Sequence, residues 1–258
     1  MSTMPLPIAW LAPDSPPRFP PPSRALREPN GLLAAGGDLS AARLLAAYAR
    51  GIFPWYGSGE PILWWSPDPR CVFASDGLHL SRSLRRLLVR CGWTLSVDRA
   101  FADVVAACAA PRAGQPGTWI DVDMALAYTR LHQLGHAHSL EVWQDAELIG
   151  GIYGVAVGRA FSGESMFSRR SGGSKVALLA LATLLRRMDF PWLDAQVANP
   201  HLLSLGAIEM PRDQYLRRLA PLAAEPGTVG AWSGLLPVGE AAGLLALQGS
   251  RVKQKAAD

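Results

Sequence analysis

Ser139-Leu-Glu-Val-Trp143, Leu148-Ile-Gly-Gly-Ile-Tyr-Gly-Val-Ala-Val157 and Arg159-Ala-Phe-Ser-Gly-Glu-Ser165 follow one another with only Gln144 to Glu147 and Gly158 between them. Aliphatic and aromatic residues dominate these runs, and Asp145 and Gly158 are residue types that tolerate the backbone of tight turns. Strands joined this closely must run antiparallel, because a parallel pair needs a long crossover. Ser174 to Met188 then carries apolar residues at helical spacing, and Trp192 to Val197 reads again as a strand. Strands in succession, then a helix, then another strand predict an α+β sheet with helices on its faces.

Outward from this block the pattern continues. Upstream lie an amphipathic helix at Ser81 to Arg90, a strand at Thr94 to Val97 and a helix opening at Asp98 with Phe101, Val104, Val105 and Cys108 on its apolar face. A Pro/Gly loop from Pro111 to Thr118 leads to Trp119 and a helix from about Asp121 to Leu134, stopped by Gly135. Nearer the N-terminus, Ser40 is placed to cap a helix carrying Leu44, Leu45 and Tyr48, with Gly51 as its stop. Gly51 to Arg70, with Trp55, Trp64 and Trp65, is too bulky for a linker and too broken by proline for a helix, so it reads as a rigid aromatic wall. These features predict a small N-terminal domain over 1–70, a larger domain over 71–219, and a loosely attached Ala/Gly/Leu-rich tail over 220–258.

The 258 residues are 49% hydrophobic and 18% charged, the balance of an ordered globular chain, with no apolar run of membrane-spanning length. Three cysteines without CxxC spacing give no disulfide or metal framework and fit a reducing compartment, so the expected location is the cytoplasm. The net charge of +4 is mild, but Arg82, Arg86 and Arg90 recur every four residues on one helical face, opposite Leu84, Leu87 and Leu88. No acidic residue interrupts that stripe, and a phosphate backbone is its natural counter-charge. His136 and His138 lack partners at metal-ligand spacing and read as structural. No Ser-His-Asp elbow, Walker loop or dinucleotide fingerprint occurs. The remaining candidates for chemistry are Glu164, among Phe161, Met166 and Phe167, and the trio Asp194, Gln196 and Asn199. Strand alternation puts Asp194 and Gln196 on one face, either solvated or convergent on a site.

Assembled, these residues resemble the bacterial leucyl/phenylalanyl-tRNA-protein transferases. The match rests on Glu28 to Ser40, Gly51 to Arg70, Gly117-Thr-Trp-Ile, His136-Ala-His-Ser, Gly150-Gly-Ile-Tyr-Gly-Val, Gly163-Glu-Ser-Met-Phe-Ser-Arg, Ser174-Lys175 and Asp194-Ala-Gln-Val, collinear from about residue 20 to 218. The resemblance implies a small N-terminal α/β domain followed by a domain of the acetyltransferase-like GNAT fold. It implies transfer of Leu, Phe or Met from aminoacyl-tRNA to the N-terminal Lys or Arg of an acceptor protein, marking that protein for degradation, without acyl-CoA or other cofactor. Residue by residue, it implies an aminoacyl pocket at Ile152, Leu178 and Leu181, a terminal-adenosine site at Trp55 and Trp119 with Glu164 in the same cluster, catalysis at Asp194 with Gln196 beside it and Asn199 nearby, and tRNA contacts at Arg82, Arg86 and Arg90. Val89 departs from a basic residue usual in that cluster, Ile152 from a methionine and Leu181 from an aromatic. Nothing points to an oligomer, and the expectation is a monomer. Two alternatives stay open at this level: an acyltransferase using acyl-CoA, suggested by Arg169-x-x-Gly172-x-Ser174 before a helix, and a non-catalytic RNA-binding protein.

Overall fold

The computed structural model describes residues 8–111 and 120–248. Two sheets organise the chain. The first has the order β1-β2-β4-β3 and comprises β1 (Ala9–Leu11), β2 (Leu32–Gly36), β3 (Phe53–Pro54) and β4 (Leu63–Trp65), with helix α1 (Ala41–Tyr48) after β2. Ser40 caps α1 as its sequence predicts, its hydroxyl accepting the Arg43 N–H at 3.3 Å. Trp64 is fully buried here, its indole N–H donating to the Gly36 carbonyl at 2.8 Å and its ring meeting Phe19 edge-on at 4.8 Å. The aromatic stretch is therefore partly core, and Trp64 holds the N-terminal sheet.

The second sheet has seven strands in the order β11-β5-β10-β9-β8-β7-β6. They are β5 (Arg70–Ala74), β6 (Thr94–Val97), β7 (Ala137–Gln144), β8 (Glu147–Val157), β9 (Ala160–Ser168), β10 (Trp192–Gln196) and β11 (Ile208–Met210). The β7-β8-β9 meander matches the three runs read from sequence, with Asp145 and Gly158 at φ 55° and 59° in its turns. All neighbouring strands run antiparallel except β9 and β10. That pair is parallel because α5 (Gly173–Arg187) carries the chain back between them. The helices α2 (Arg82–Arg90), α3 (Phe101–Ala109), α4 (Val122–Gln133), α6 (Pro200–Ser204), α7 (Arg212–Ala224) and α8 (Leu244–Gln248) complete this mixed α+β architecture. No described helix is long and apolar enough to cross a membrane.

Two expectations need correction. Helix α3 begins at Phe101 rather than at Asp98, because Asp98 sits at φ 58° and its carboxylate is committed elsewhere. It accepts from the backbone N–H groups of Ser139 at 3.0 Å and Trp232 at 2.8 Å, and bonds His138 Nδ1 at 2.9 Å. The described part of the tail is also not loose. Trp232 is completely buried and stacks on the His138 ring at 3.7 Å, Ala241 and Leu244 enter the core beside α5, and Arg186 donates to the Leu247 carbonyl at 2.5 Å. A single tryptophan anchors a segment whose small residues carry no periodicity.

Burial works against the Asp98 charge, but the His138 hydrogen bond and the two N–H donors outweigh it and hold the carboxyl below its ordinary value. Asp98→Ala removes the acceptor for both backbone donors and for His138, so a loss of about 2 to 4 kcal/mol is expected. Urea denaturation at pH 7 measures it. The stability Asp98 contributes is complete above the ordinary Asp pKa and fades as pH falls below it.

Candidate active site

Strands β9 and β10 pair only through Phe161–Leu193 and Ser162–Asp194. Beyond that point they separate, and the wedge between them is a cavity of about 290 Å³. Its floor and walls are apolar, with Phe73, Ile152, Met166, Leu178 and Leu193, while Phe53, Pro54 and Trp55 form a rim contributed by the N-terminal sheet and the residue after it. Glu164, Gln196 and Asn199 supply polar groups. The wedge exists because β10 is irregular. Its register against β5 shifts between Asp194 and Gln196, and Gln196 has φ 64°.

That irregularity separates two side chains that strand alternation puts on one face. Asp194 turns into the interior and is 1% exposed, whereas Gln196 faces the cavity. Arg70, equally buried, makes a bidentate pair with Asp194, Nε to Oδ1 at 2.8 Å and Nη2 to Oδ2 at 2.6 Å. The same guanidinium donates to the Gly51 carbonyl at 2.9 Å and lies between the rings of Phe53 and Tyr215, at 4.9 and 4.8 Å. Tyr215 donates its hydroxyl to Asp194 Oδ2 at 2.8 Å, Ser162 approaches the same oxygen at 3.3 Å, and the Gln196 N–H donates to Oδ1 at 2.9 Å. Every lone-pair direction of Asp194 is thus occupied by protein. Asp194 does not line the cavity. It locks Arg70, and through Arg70 the Gly51 turn, against the sheet.

Glu164 is the carboxylate that meets the cavity. Gln196 donates its amide to Oε1 at 2.8 Å, and Tyr128 donates its hydroxyl to Oε2 at 2.6 Å, with Tyr48 hydrogen-bonded behind it at 2.7 Å. Tyr128 and Tyr48 sit in the apolar faces of α4 and α1. Burial pushes the Glu164 carboxyl up to about 7, the charge of Asp194 adds to this, and the tyrosine hydroxyls and Arg70 oppose it. Gln196 Oε1 carries no hydrogen bond among the described residues and is open to a donor in the cavity.

The other residues singled out by sequence divide clearly. Trp55 is exposed at the rim, held from behind by the Trp65 indole N–H, which donates to the Trp55 carbonyl at 2.5 Å. Asn199 lines the cavity and uses its side-chain oxygen to cap α6 through the Leu202 N–H at 2.9 Å. Leu181 is not in the cavity wall. It is buried in the core one turn further along α5. Trp119 lies outside the described residues. Arg82, Arg86 and Arg90 are exposed on α2 together with Arg85, and none has an acidic partner among the described residues. Sequence reading missed Arg70, Tyr48 and Tyr128. Their signal was a polar group placed inside an otherwise apolar strand or helix face, which requires a buried partner.

Among solved structures, the chain is similar to L-PGS from Bacillus licheniformis (12% identity, 65% of this chain and 53% of that chain, TM-score 0.37) and to a GCN5-related N-acetyltransferase from Kribbella flavida (12%, 65% and 59%, 0.32). At such scores neither carries an argument. Sequence comparison is far closer. The family described as "Leucyl/phenylalanyl-tRNA protein transferase" matches residues 72–220, and that of its N-terminal domain matches residues 37–68. A leucyl/phenylalanyl-tRNA–protein transferase from Xanthomonas axonopodis pv. citri is 60% identical over 84% of this chain and 87% of its own length. Its counterpart in Aromatoleum aromaticum is 57% identical over 88% and 94%. With both parts matched in order and such identity across most of the sequence, this protein belongs to the leucyl/phenylalanyl-tRNA protein transferase family.

Proposed function

We propose that this chain transfers Leu, Phe or Met from aminoacyl-tRNA to the α-amine of an N-terminal Lys or Arg of an acceptor protein, and so creates a degradation signal. The observation that carries the reading is the β9–β10 wedge, an apolar cavity with a carboxylate–amide pair in its wall in a chain of this family. The aminoacyl side chain occupies the apolar end beside Ile152 and Leu178. The terminal adenosine lies against Trp55, with Trp119 assigned to the same site by resemblance. A hydrophobic wall separates such side chains by only about 1 to 3 kcal/mol per methylene, so overlapping use of the three amino acids is expected. Arg82, Arg86 and Arg90 take the acceptor arm. The reaction belongs in the cytoplasm, where charged tRNA is used, with the chain acting as a monomer.

The chemistry is aminolysis of an ester. The amine nitrogen forms a bond to the aminoacyl carbonyl carbon, the bond from that carbon to the ribose oxygen breaks, and one proton leaves the amine while the ribose oxygen gains one. An α-amino group titrates near pH 7.7 to 8.0, so a base close to neutrality is matched to it. Glu164 has that property and faces the cavity; Asp194, resemblance's choice, has no free lone pair to offer. In this reading Gln196 Oε1 accepts an N–H of the incoming amine, Glu164 takes its proton, and Asp194 acts as a positioning residue through Arg70 and the Gln196 backbone. Holding amine and ester in register supplies most of the rate.

Labelled leucine supplied as Leu-tRNA tests the function. Incorporation into a protein with N-terminal Lys and not into its N-terminal Met twin is the expected result. RNA binding without transfer would leave a purely binding role, and transfer dependent on added acyl-CoA would favour the acyl-CoA reading.

A further inference from the structure

A second cavity, of about 690 Å³, opens beside the first and shares Met166 and Asn199 with it. Its chemistry differs. Arg169, His201, Ser168 and Ser174 contribute polar groups, and the largely buried Phe167 an apolar edge. Arg169 is exposed, spends Nη1 on the Leu148 carbonyl at 3.0 Å, lies 5.6 Å from the Phe167 ring centre, and leaves Nε and Nη2 without hydrogen-bond partners among the described residues. Lys175, on the first turn of α5, has no hydrogen bond or ion pair among them either. Arg170 reaches Glu147 only at 3.6 Å, an exposed pair of little strength. The loop bearing these cations touches α2 directly, since a Cβ on Gly172 would lie 2.4 Å from Leu87 Cδ2. The exposed arginines of α2 and the cations of the β9–α5 loop thus sit on adjoining elements, with Arg169 lining the cavity next to the aminoacyl one.

We propose that this second cavity and the β9–α5 loop bind the single-stranded 3′ end of the substrate tRNA, guiding its last nucleotides from α2 into the β9–β10 wedge. The inference rests on the aminoacyl-tRNA reading and deepens it. Arg169 and Lys175 meet phosphates, where charge-assisted bonds suit a backbone without base preference. The exposed imidazole of His201 offers stacking surface to a base. A polypeptide acceptor is the rival occupant, but Arg169 and Lys175, which have no acidic partner among the described residues, favour a polyanion.

Fluorescence anisotropy with intact uncharged tRNA and with the same tRNA trimmed of its last three nucleotides separates the possibilities. The wild-type protein is expected to bind the intact molecule roughly tenfold more tightly than the trimmed one. Arg169→Ala/Lys175→Ala should abolish that difference and flatten the salt dependence of intact-tRNA binding by about 1.4 in the log–log slope. Arg86→Ala should weaken both tRNAs alike. A double variant that keeps the wild-type preference, or weakens both tRNAs equally, overturns the proposal. So does a wild-type protein indifferent to trimming. Leucine transfer from leucyl-adenosine, which lacks the penultimate nucleotides, tests the underlying reading separately: its success beside a failed binding result defeats the channel alone.

Discussion

Asp194→Ala is expected to destabilise the fold by about 3 to 5 kcal/mol, the cost typical of breaking a buried ion pair from one side. Arg70 would remain 1% exposed with a charge and two unused donors, and Tyr215, Ser162 and the Gln196 N–H would lose their acceptor at the same time. Domains of ordinary stability have about 5 to 15 kcal/mol in total, so the loss is a large fraction. Replacing both partners, as in Arg70→Met/Asp194→Leu, removes the stranded charge and should be less damaging than either single change. Urea unfolding of the wild type, Arg70→Met, Asp194→Leu and the double variant measures the coupling. A loss below about 1 kcal/mol for Asp194→Ala would mean that the pair is not the clasp described here. Activity lost by this variant reports a displaced Gly51 turn and rim as well as any chemical effect.

Glu164→Gln should cost on the order of 100-fold or more in the rate of transfer at pH 8, the usual range for a lost general base. The substitution keeps shape, and the Tyr128–Tyr48 pair can reverse its donor direction to serve an amide. With its carboxyl pushed up to about 7 mainly by burial, Glu164 must lose a proton before it can accept one, so wild-type activity should rise with pH through about 7. Stability moves the other way. Below the ordinary Glu pKa of 4.5 the folded and unfolded chains both carry the proton; between 4.5 and about 7 only the folded chain does. The slope is therefore negative, and up to about 3 kcal/mol is lost as pH rises across that window. Glu164→Gln should remove both the acid limb of activity and this stability slope. Opposed pH trends for activity and stability in the wild type, both absent in the variant, are the signature of a functional carboxylate kept in an unfavourable place.

Much of this fold is legible in local sequence. The β7-β8-β9 meander announces itself because two turns of the right residue types interrupt three apolar runs, and α5 because its apolar residues persist through four turns. The charged face of α2 follows from spacing alone. Illegible were the features that join distant segments or break a local rule. Arg70 and Asp194 are 124 positions apart, and nothing near either one names its partner. The β10 bulge overrides the alternation that put Asp194 and Gln196 together, so Gln196 and Glu164 face the cavity and Asp194 does not. The region after Leu219 reads as loose because it lacks period and charge pattern, yet Trp232 finds a slot beside His138 that no local signal could reveal.

Of the three residues that resemblance assigns to the aminoacyl pocket, Ile152 and Leu178 line the cavity, while Leu181, one turn further along α5, is buried in the core and does not. Met166 on β9, Leu193 on β10 and Phe73 on β5, the next strand beyond β10, are wall residues it did not name. Selectivity among Leu, Phe and Met should therefore answer to Met166 more than to Leu181.

The proton acceptor is the centre of the mechanism, and single-turnover transfer of leucine from saturating Leu-tRNA, followed from pH 5.5 to 9 in Asp194→Asn and Glu164→Gln side by side, addresses it directly. At a temperature where both remain folded, Asp194→Asn should keep the rise in rate near pH 7 and lose modestly in amplitude, while Glu164→Gln should be slow and flat. A flat, slow Asp194→Asn beside a Glu164→Gln that retains the wild-type profile would contradict the account.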